Sequence, residues 1–518
     1  MHRFKKKVLA AAIISASLTG HAVAGEPIEF ANGAVLDWKA TATYSLGVRT
    51  EDPDPALTST GNQNFDQGDL IANGASLLLE GHLNKGNSGL VMSASGFYDD
   101  VYQDDKFNDD AEKYHGGYAR LLDAYGYTSF AFGESGFADI RVGKHVVAWG
   151  EALFFPSVSL AQGPSDAIKA TVPGAEVKEI LLPEDQISLQ AEITPNWSVM
   201  AHYQYNWHPT TVSEPGTFWS TSETTGRGAT CVQAIPGFGC VFGVRKADIR
   251  PDEQGQWGIG TRYRVSENTE LGLYYLKYND RIPLPDINPV DGLINPITNR
   301  NQGSYALRYA EDVELYAATF TTTTGMNSFA GEISYKKGAP VLVNTSVVSP
   351  STADVLQTNI NAITNFGRTS FAENATLTSE LSYVDILDVD GRPISGLEAF
   401  PAPFNGFSDE VYWTNHSLAF AASLNLAYPG ITENWDLSVP LSYQKQISGR
   451  TLTGGLSGSA AEGDQRIGIG ATFTHPRSGL QIGVKYAAYM GDPDATDVVR
   501  QSKDSDRDNI TLNIKYAF

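Results

Sequence analysis

The chain ends in a segment with two unlike faces. From Asn509 to Phe518, Ile510, Leu512, Ile514, Tyr516 and Phe518 alternate with Asn509, Thr511, Asn513, Lys515 and Ala517. Successive side chains of a strand point to opposite sides, so one face is apolar and the other polar. Half-exposed sheets of many proteins alternate in this way. A chain that finishes on such a strand, with an aromatic as its last residue, has the pattern by which a transmembrane β-barrel closes, apolar side chains toward lipid and polar ones toward the lumen.

The same alternation recurs along the chain. Leu36, Trp38, Ala40, Ala42, Tyr44, Leu46 and Val48 interleave with Asp37, Lys39, Thr41, Thr43, Ser45, Gly47 and Arg49. Trp197, Val199, Ala201, Tyr203, Tyr205 and Trp207 form a second run, and Trp257, Ile259, Tyr263 and Val265 a third. Ile467, Ile469, Ala471 and Phe473, then Leu480, Ile482, Val484, Tyr486 and Ala488, continue it near the end. Several runs reach about ten residues, the length a tilted strand needs to cross the hydrocarbon. A soluble β-sandwich uses strands of about five or six residues and rarely begins and ends them on Trp or Tyr. Trp38, Tyr44, Trp197 and Trp207 stand where interfacial anchors belong. The fold class is therefore all-β: a single transmembrane antiparallel barrel of about 16–18 strands.

The opposite end of the chain agrees. Residues 1–24 carry Arg3, Lys5, Lys6 and Lys7, then an apolar run from Val8 to about Leu18, then Ala22-Val23-Ala24. A charged head, a short apolar middle and a small-residue cleavage site read as a secretory signal. That leaves 25–518 as the barrel, with the outer membrane of a Gram-negative bacterium as its location. Removing four positive charges and no negative one takes the net charge from −22 to −26. Such acidity excludes nucleic acid, which needs a basic face. The 50 Gly, 24 Tyr and 23 Phe suit a barrel with crowded strands and aromatic girdles. Cys231 and Cys240 lie close together in a Gly- and Pro-containing segment, and an oxidising compartment makes them a disulfide.

Connections are unequal. Tight turns are expected at 84–89, 133–136, 194–196, 266–268 and 429–434, and long loops near 50–71, 100–116, 209–255, 281–302, 388–412 and 491–506. Two stretches, 145–185 and 337–373, do not alternate, and Ser351–Gln357 has the look of a short helix. Neither an internal repeat nor a domain boundary is visible.

The block Arg141-Val-Gly-Lys-His-Val-Val-Ala-Trp-Gly-Glu-Ala-Leu-Phe-Phe-Pro156, with 163–169, 172–178, Gly331-Glu-Ile-Ser-Tyr335 and Asp506-Arg-Asp508, resembles a proteobacterial family of outer-membrane barrels. That family is catalogued as domain of unknown function 1302. The resemblance covers most of the mature chain. Lys144-His145 stands where many relatives carry Arg-Gln. The resemblance implies a link to catabolism or export of hydrophobic compounds, with no settled set of functional residues.

Two candidate sites follow from the residues. Inward positions on the clearest strands hold Lys39, Arg49, Arg262, Arg264, Arg466, Lys485 and Lys515, against only Asp37 and Asp436. A basic lumen favours anions; the bland alternative is that these bases pair with acids of an inserted loop. The interrupted stretch 145–185 is the candidate plug or constriction. Trp149, Phe154 and Phe155 are too bulky for a turn, and beside Glu151, Asp166, Lys169, Glu176 and Lys178 they suggest either a lining for a greasy solute or plain packing of a plug against the wall.

Catalysis lacks a signature. No H-E-x-x-H, G-x-S-x-G or P-loop occurs, the nine His are scattered, and His416 and Ser417 are neighbours that point to opposite faces of a strand. No catalytic, cofactor-binding or metal-ligating residue is assigned. The expected function is an outer-membrane channel for passive passage of small hydrophobic or amphipathic molecules, carboxylates among the candidates. Its expected partners are outer-membrane lipid and lipopolysaccharide, the barrel assembly machinery through the C-terminal strand, and the solute. The alternatives are a structural or adhesive barrel with a plugged lumen, and a lipid hydrolase.

Overall fold

A computed structural model describes residues 25–518 apart from 236–237, 293, 296–299, 455 and 457–459. The leader expected over 1–24 lies outside the described residues. Eighteen antiparallel strands form the wall. They are β1 (Val35–Arg49), β2 (Leu70–Lys85), β3 (Ser88–Asp99), β4 (Ala119–Phe132), β5 (Gly136–His145), β6 (Glu184–Thr194), β7 (Trp197–Gln204), β8 (Gln256–Ser266) and β9 (Thr269–Tyr278). The other half is β10 (Val313–Thr324), β11 (Asn327–Val343), β12 (Ser349–Gly367), β13 (Asn374–Val389), β14 (His416–Thr432), β15 (Trp435–Ser448), β16 (Gln465–His475), β17 (Leu480–Met490) and β18 (Asn509–Ala517). Each strand pairs with its neighbours in sequence, and β1 pairs with β18 from Thr41↔Ala517 to Arg49↔Asn509, so the sheet closes on itself. Phe518 completes the seam by exchanging backbone hydrogen bonds with Ala40 at 2.8 and 2.9 Å. A closed ring leaves no unpaired edge, the condition for a sheet to sit in lipid.

The outward face is apolar all round. Leu90, Met92, Ile187, Ile259, Leu273, Ile333, Ile360, Leu381, Ile469 and Ile510 are exposed on strands spread round the ring. A belt of this extent is stable only against lipid. Trp38 and Trp197 are exposed near the turn end, where anchors were expected. Trp207 is not an anchor. Strand β7 stops at Gln204, and Trp207 is buried in the loops against Tyr305, Leu307 and Tyr309, its indole N–H donating to Asn279 O at 3.1 Å.

Turns at one end run from two to six residues, whereas the loops at the other run from five to 51. Above the wall, two of the long loops build a four-stranded sheet from Leu284–Asn288, Ser304–Arg308, Gly239–Arg245 and Cys231–Ile235. The Cys231–Cys240 disulfide staples its outer hairpin. The expectation for 337–373 is corrected: Ser351–Gln357 is not helical but lies in β12, the longest strand. Its alternation is inverted for a physical reason. The loop ends of β11–β13 turn Ala339, Val341, Ala353, Val355, Val384 and Ile386 inward, where they form an apolar cluster covered by Val411. A bulge between Lys336 and Ala339, with Gly338 at φ +74°, shifts the pattern further. The wall is also uneven in height. Strands β5–β9 have eight to 11 residues, whereas β11–β14 have 16 to 19.

Candidate functional site

Strand β5 ends at His145, which pairs with Glu184, the first residue of β6. The chain between them leaves the wall at one point and returns beside it. On the way it touches inward-facing residues nearly all round the ring. Leu153 and Phe155 donate their backbone N–H groups to the Glu380 carboxylate of β13 at 3.0 and 2.9 Å, and Phe154 donates to the same group. The Glu332 carboxylate of β11 accepts from Glu151 at 2.9 Å and Val158 at 3.2 Å. Gly150 sits against that carboxylate at φ +98°, where a β-carbon would come within 2.3 Å of it. Gln357, Asn359 and Asn361 of β12 donate to the carbonyls of Phe155 and Glu151. On the opposite wall, Ser45 of β1 donates to Pro173 O at 2.6 Å, and Lys515 of β18 pairs with Glu176 at 2.6 Å. Lys178 pairs with Glu80 of β2 at 2.7 Å and Asp123 of β4 at 3.4 Å. Partners on both sides of the ring place the segment across the lumen.

The predicted residues separate into two groups. Trp149, 8% exposed, packs against Met200, Leu276 and Leu315, its ring edge-on to His202 at 5.0 Å and tilted over Tyr274 at 5.9 Å. Phe155 is buried against Ala419 and Ala421, with Phe154 packed beside it. These aromatics hold the segment to the wall. Asp166 caps a helical turn, Ala167–Ala170, and pairs with Arg120 at 2.6 Å. Lys169 is buried with its ammonium 3.2 Å from the Phe97 ring centre; burial pulls its pKa down to about 8, against the pull of Glu179 and Asp166. Glu151 faces Arg262 at 3.7 Å, and burial raises its carboxyl above the usual range.

Strands other than those that alternate most clearly add further inward acids. Beyond Asp37 and Asp436, the wall carries Glu80, Asp99, Asp123, Glu332 and Glu380 facing in, and most of them hold the inserted segment. Single acids among polar inward positions, such as Glu332 beside Ser334 or Glu380 beside Ser382, were the signal that could have found them. Of the basic residues, Arg262 donates to Tyr274 Oη at 2.9 Å, Arg466 pairs with Asp504 at 2.7 Å, and Arg49 is fully buried on Asp506 at 2.7 Å. Among the described residues no ion pair joins Lys39, Arg264 or Lys485, each of which is exposed on an inward position.

What the inserted segment leaves open is partly apolar. Leu153 is 46% exposed, Leu160 44% and Val177 66%, none of them a residue singled out by sequence. On the turn side of Trp149 lies a cavity of about 370 Å³ lined by Asp139, Arg141, Gln190, Met200 and Arg262. On the loop side, above the low wall, lies a vestibule of about 420 Å³. Ser417 is buried on Thr451 at 2.7 Å, and neighbouring His416 is exposed.

A closed ring, a lipid-facing belt and a segment drawn across the lumen define a membrane-spanning β-barrel with an internal constriction element. The chain belongs to the family described as "Protein of unknown function (DUF1302)", whose model matches residues 4–518. No curated protein matches it. Its shape has a distant likeness to solved barrels. OpdK of Pseudomonas aeruginosa, crystallised with vanillate, is 11% identical with a TM-score of 0.45, covering 93% of this chain and 98% of that one. OccAB1 of Acinetobacter baumannii is 12% identical with a TM-score of 0.47, over 96% and 99%. The outer membrane channel DcaP of Acinetobacter baumannii is 11% identical with a TM-score of 0.41, over 96% and 100%.

Proposed function

We propose that the protein is an outer-membrane channel through which small hydrophobic or amphipathic molecules, anionic ones included, pass without an energy source. The observation that carries this reading is the exposure of Leu153, Leu160 and Val177 on a segment enclosed by the wall. Apolar side chains on an internal segment that is otherwise tightly packed gain nothing from water, and they suit a solute with an apolar body. Exposed inward cations such as Lys485 supply the complementary attraction for an anionic end.

Proteoliposomes test the proposal. Benzenesulfonate is a suitable probe, since it stays ionised and does not leak through lipid. It should cross faster than glucose, and Leu153→Asp with Leu160→Asp should remove that advantage. Equal passage of both solutes, unchanged by the substitutions, points instead to a general hydrophilic pore.

A further inference from the structure

Strand β4 is paired on both sides only over part of its length. Strand β3 pairs with Ala119–Leu121, but β5 joins β4 only from Ala124↔Lys144 downward, because the chain turns into the lumen just after His145. The first five of the 14 residues of β4, at its loop end, therefore border a notch in the wall instead of a strand. The vestibule is lined at this place by Arg120 and Leu122, which face in, and also by Leu121, which faces out.

Outside the wall, the same place begins an apolar groove. A cavity of about 790 Å³ lies over the outward faces of β2–β4, lined by Ala75, Leu77, Leu79, Ala94, Gly96 and Leu121. Small residues on β3 and the start of β4 make the hollow, and larger ones form its sides. It shares Tyr118, Arg120 and Leu121 with the vestibule, so groove and vestibule meet at the notch. It continues toward the turn end as a second hollow of about 490 Å³ beside Trp38 and Leu90.

The vestibule end is cationic. Arg120, Arg227, Arg245 and Arg250 line it against only Glu214 and Asp248. Arg120 and Arg245 are paired, with Asp166 and Asp248. Among the described residues no ion pair engages Arg227 or Arg250, which lie over the rings of Tyr114 at 3.9 Å and Trp207 at 5.4 Å. An apolar groove in lipid that leads to guanidinium groups outside any ion pair is complementary to one kind of molecule, with a chain at one end and an anion at the other.

We infer that the notch beside β4 is a lateral portal, at which an anionic single-chain amphiphile lies with its chain in the β2–β4 groove and its head on Arg227 and Arg250. This rests on the channel reading and names its solute class. The portal joins the lipid-facing side of the wall to the vestibule above the inserted segment, without passage through bulk water.

Photo-crosslinking in phosphatidylcholine vesicles tests it. A benzophenone side chain replaces Leu121, or in separate protein the lipid-facing Ile360 on the opposite wall, with alkyne-tagged dodecanoate as probe and tagged dodecanol as uncharged control. Dodecanoate should label position 121 about tenfold more than 360, the factor set by a charge-assisted contact, and dodecanol should label both alike. Arg227→Ser with Arg250→Ser should abolish the preference, and so should Gly96→Trp, which fills the groove and leaves Arg227 and Arg250 in place. Equal labelling by dodecanoate at 121 and 360, or a preference that survives these substitutions, overturns the portal. Benzenesulfonate passage on the same proteins separates the two claims. Normal passage with uniform labelling refutes the portal and leaves the channel; localised labelling without passage supports the groove as a binding site and refutes the channel.

Discussion

Glu380 accepts hydrogen bonds from three successive backbone N–H groups, those of Leu153, Phe154 and Phe155. Bonds to a charged group contribute about 1.5–3 kcal/mol each, so this one side chain is a principal fastener of the inserted segment. Glu380→Ala should leave the barrel folded and free the segment, seen as larger and noisier single-channel currents. Glu373, on an exposed turn with Arg368, is the control, because exposed pairs contribute little. At the seam, the buried Arg49 guanidinium binds Asp506 and the carbonyls of Asn62 and Phe65. Arg49→Met strands a buried carboxylate and should cost about 3–5 kcal/mol, nearer the low end because Arg507 lies 3.5 Å from the same carboxylate. Urea unfolding of the refolded barrel would measure it. His115 is buried under Tyr102 and accepts from Glu214 N at 3.2 Å. Burial lowers its pKa to about 3 from 6.5. A base whose folded pKa is depressed favours the folded state fully above its unfolded value, and that support is lost as pH falls from 6.5 toward 3. The protection of the Glu214 amide, its exchange rate relative to the intrinsic rate at the same pH, should therefore fall as the pH is lowered through 6 and 5, and His115→Gln should flatten the dependence.

Elements differ in how plainly the sequence announces them. Strands β1 and β18 were legible because each has one face to lipid and one to the polar lumen, which enforces a period of two. The loop ends of β11–β13 were not, since Val341, Val355 and Ile386 turn apolar surface inward beneath a loop and reverse the pattern. Trp207 misled for a related reason: a loop cluster above the rim buries aromatics as well as a membrane interface does. Within the candidate site, the break in alternation marked the inserted segment. Its fasteners stayed hidden because Glu332 and Glu380 lie far from it in sequence, and only barrel closure brings them near. The exposed Leu153 and Leu160 gave no signal beside the bulkier aromatics. The Cys231–Cys240 hairpin belongs to the loop sheet and not to the wall. Closing so short a loop stabilises it by about 2–3 kcal/mol. Reduction should make residues 231–245 sensitive to protease while the barrel keeps its resistance to detergent; loss of that resistance would show that the loop sheet supports the wall.

At the scale of the whole molecule, a closed wall is separate from the segment that crosses its lumen. His145 and Glu184 are paired neighbours, so a two-residue turn can replace 146–183 without disturbing any strand. The most direct test of the account is the single-channel conductance, in a planar bilayer, of the wild-type barrel beside that replacement. A small wild-type conductance that becomes large and steady in the replacement is the predicted result. Equal conductance of the two would contradict it, because the segment would then not restrict the passage.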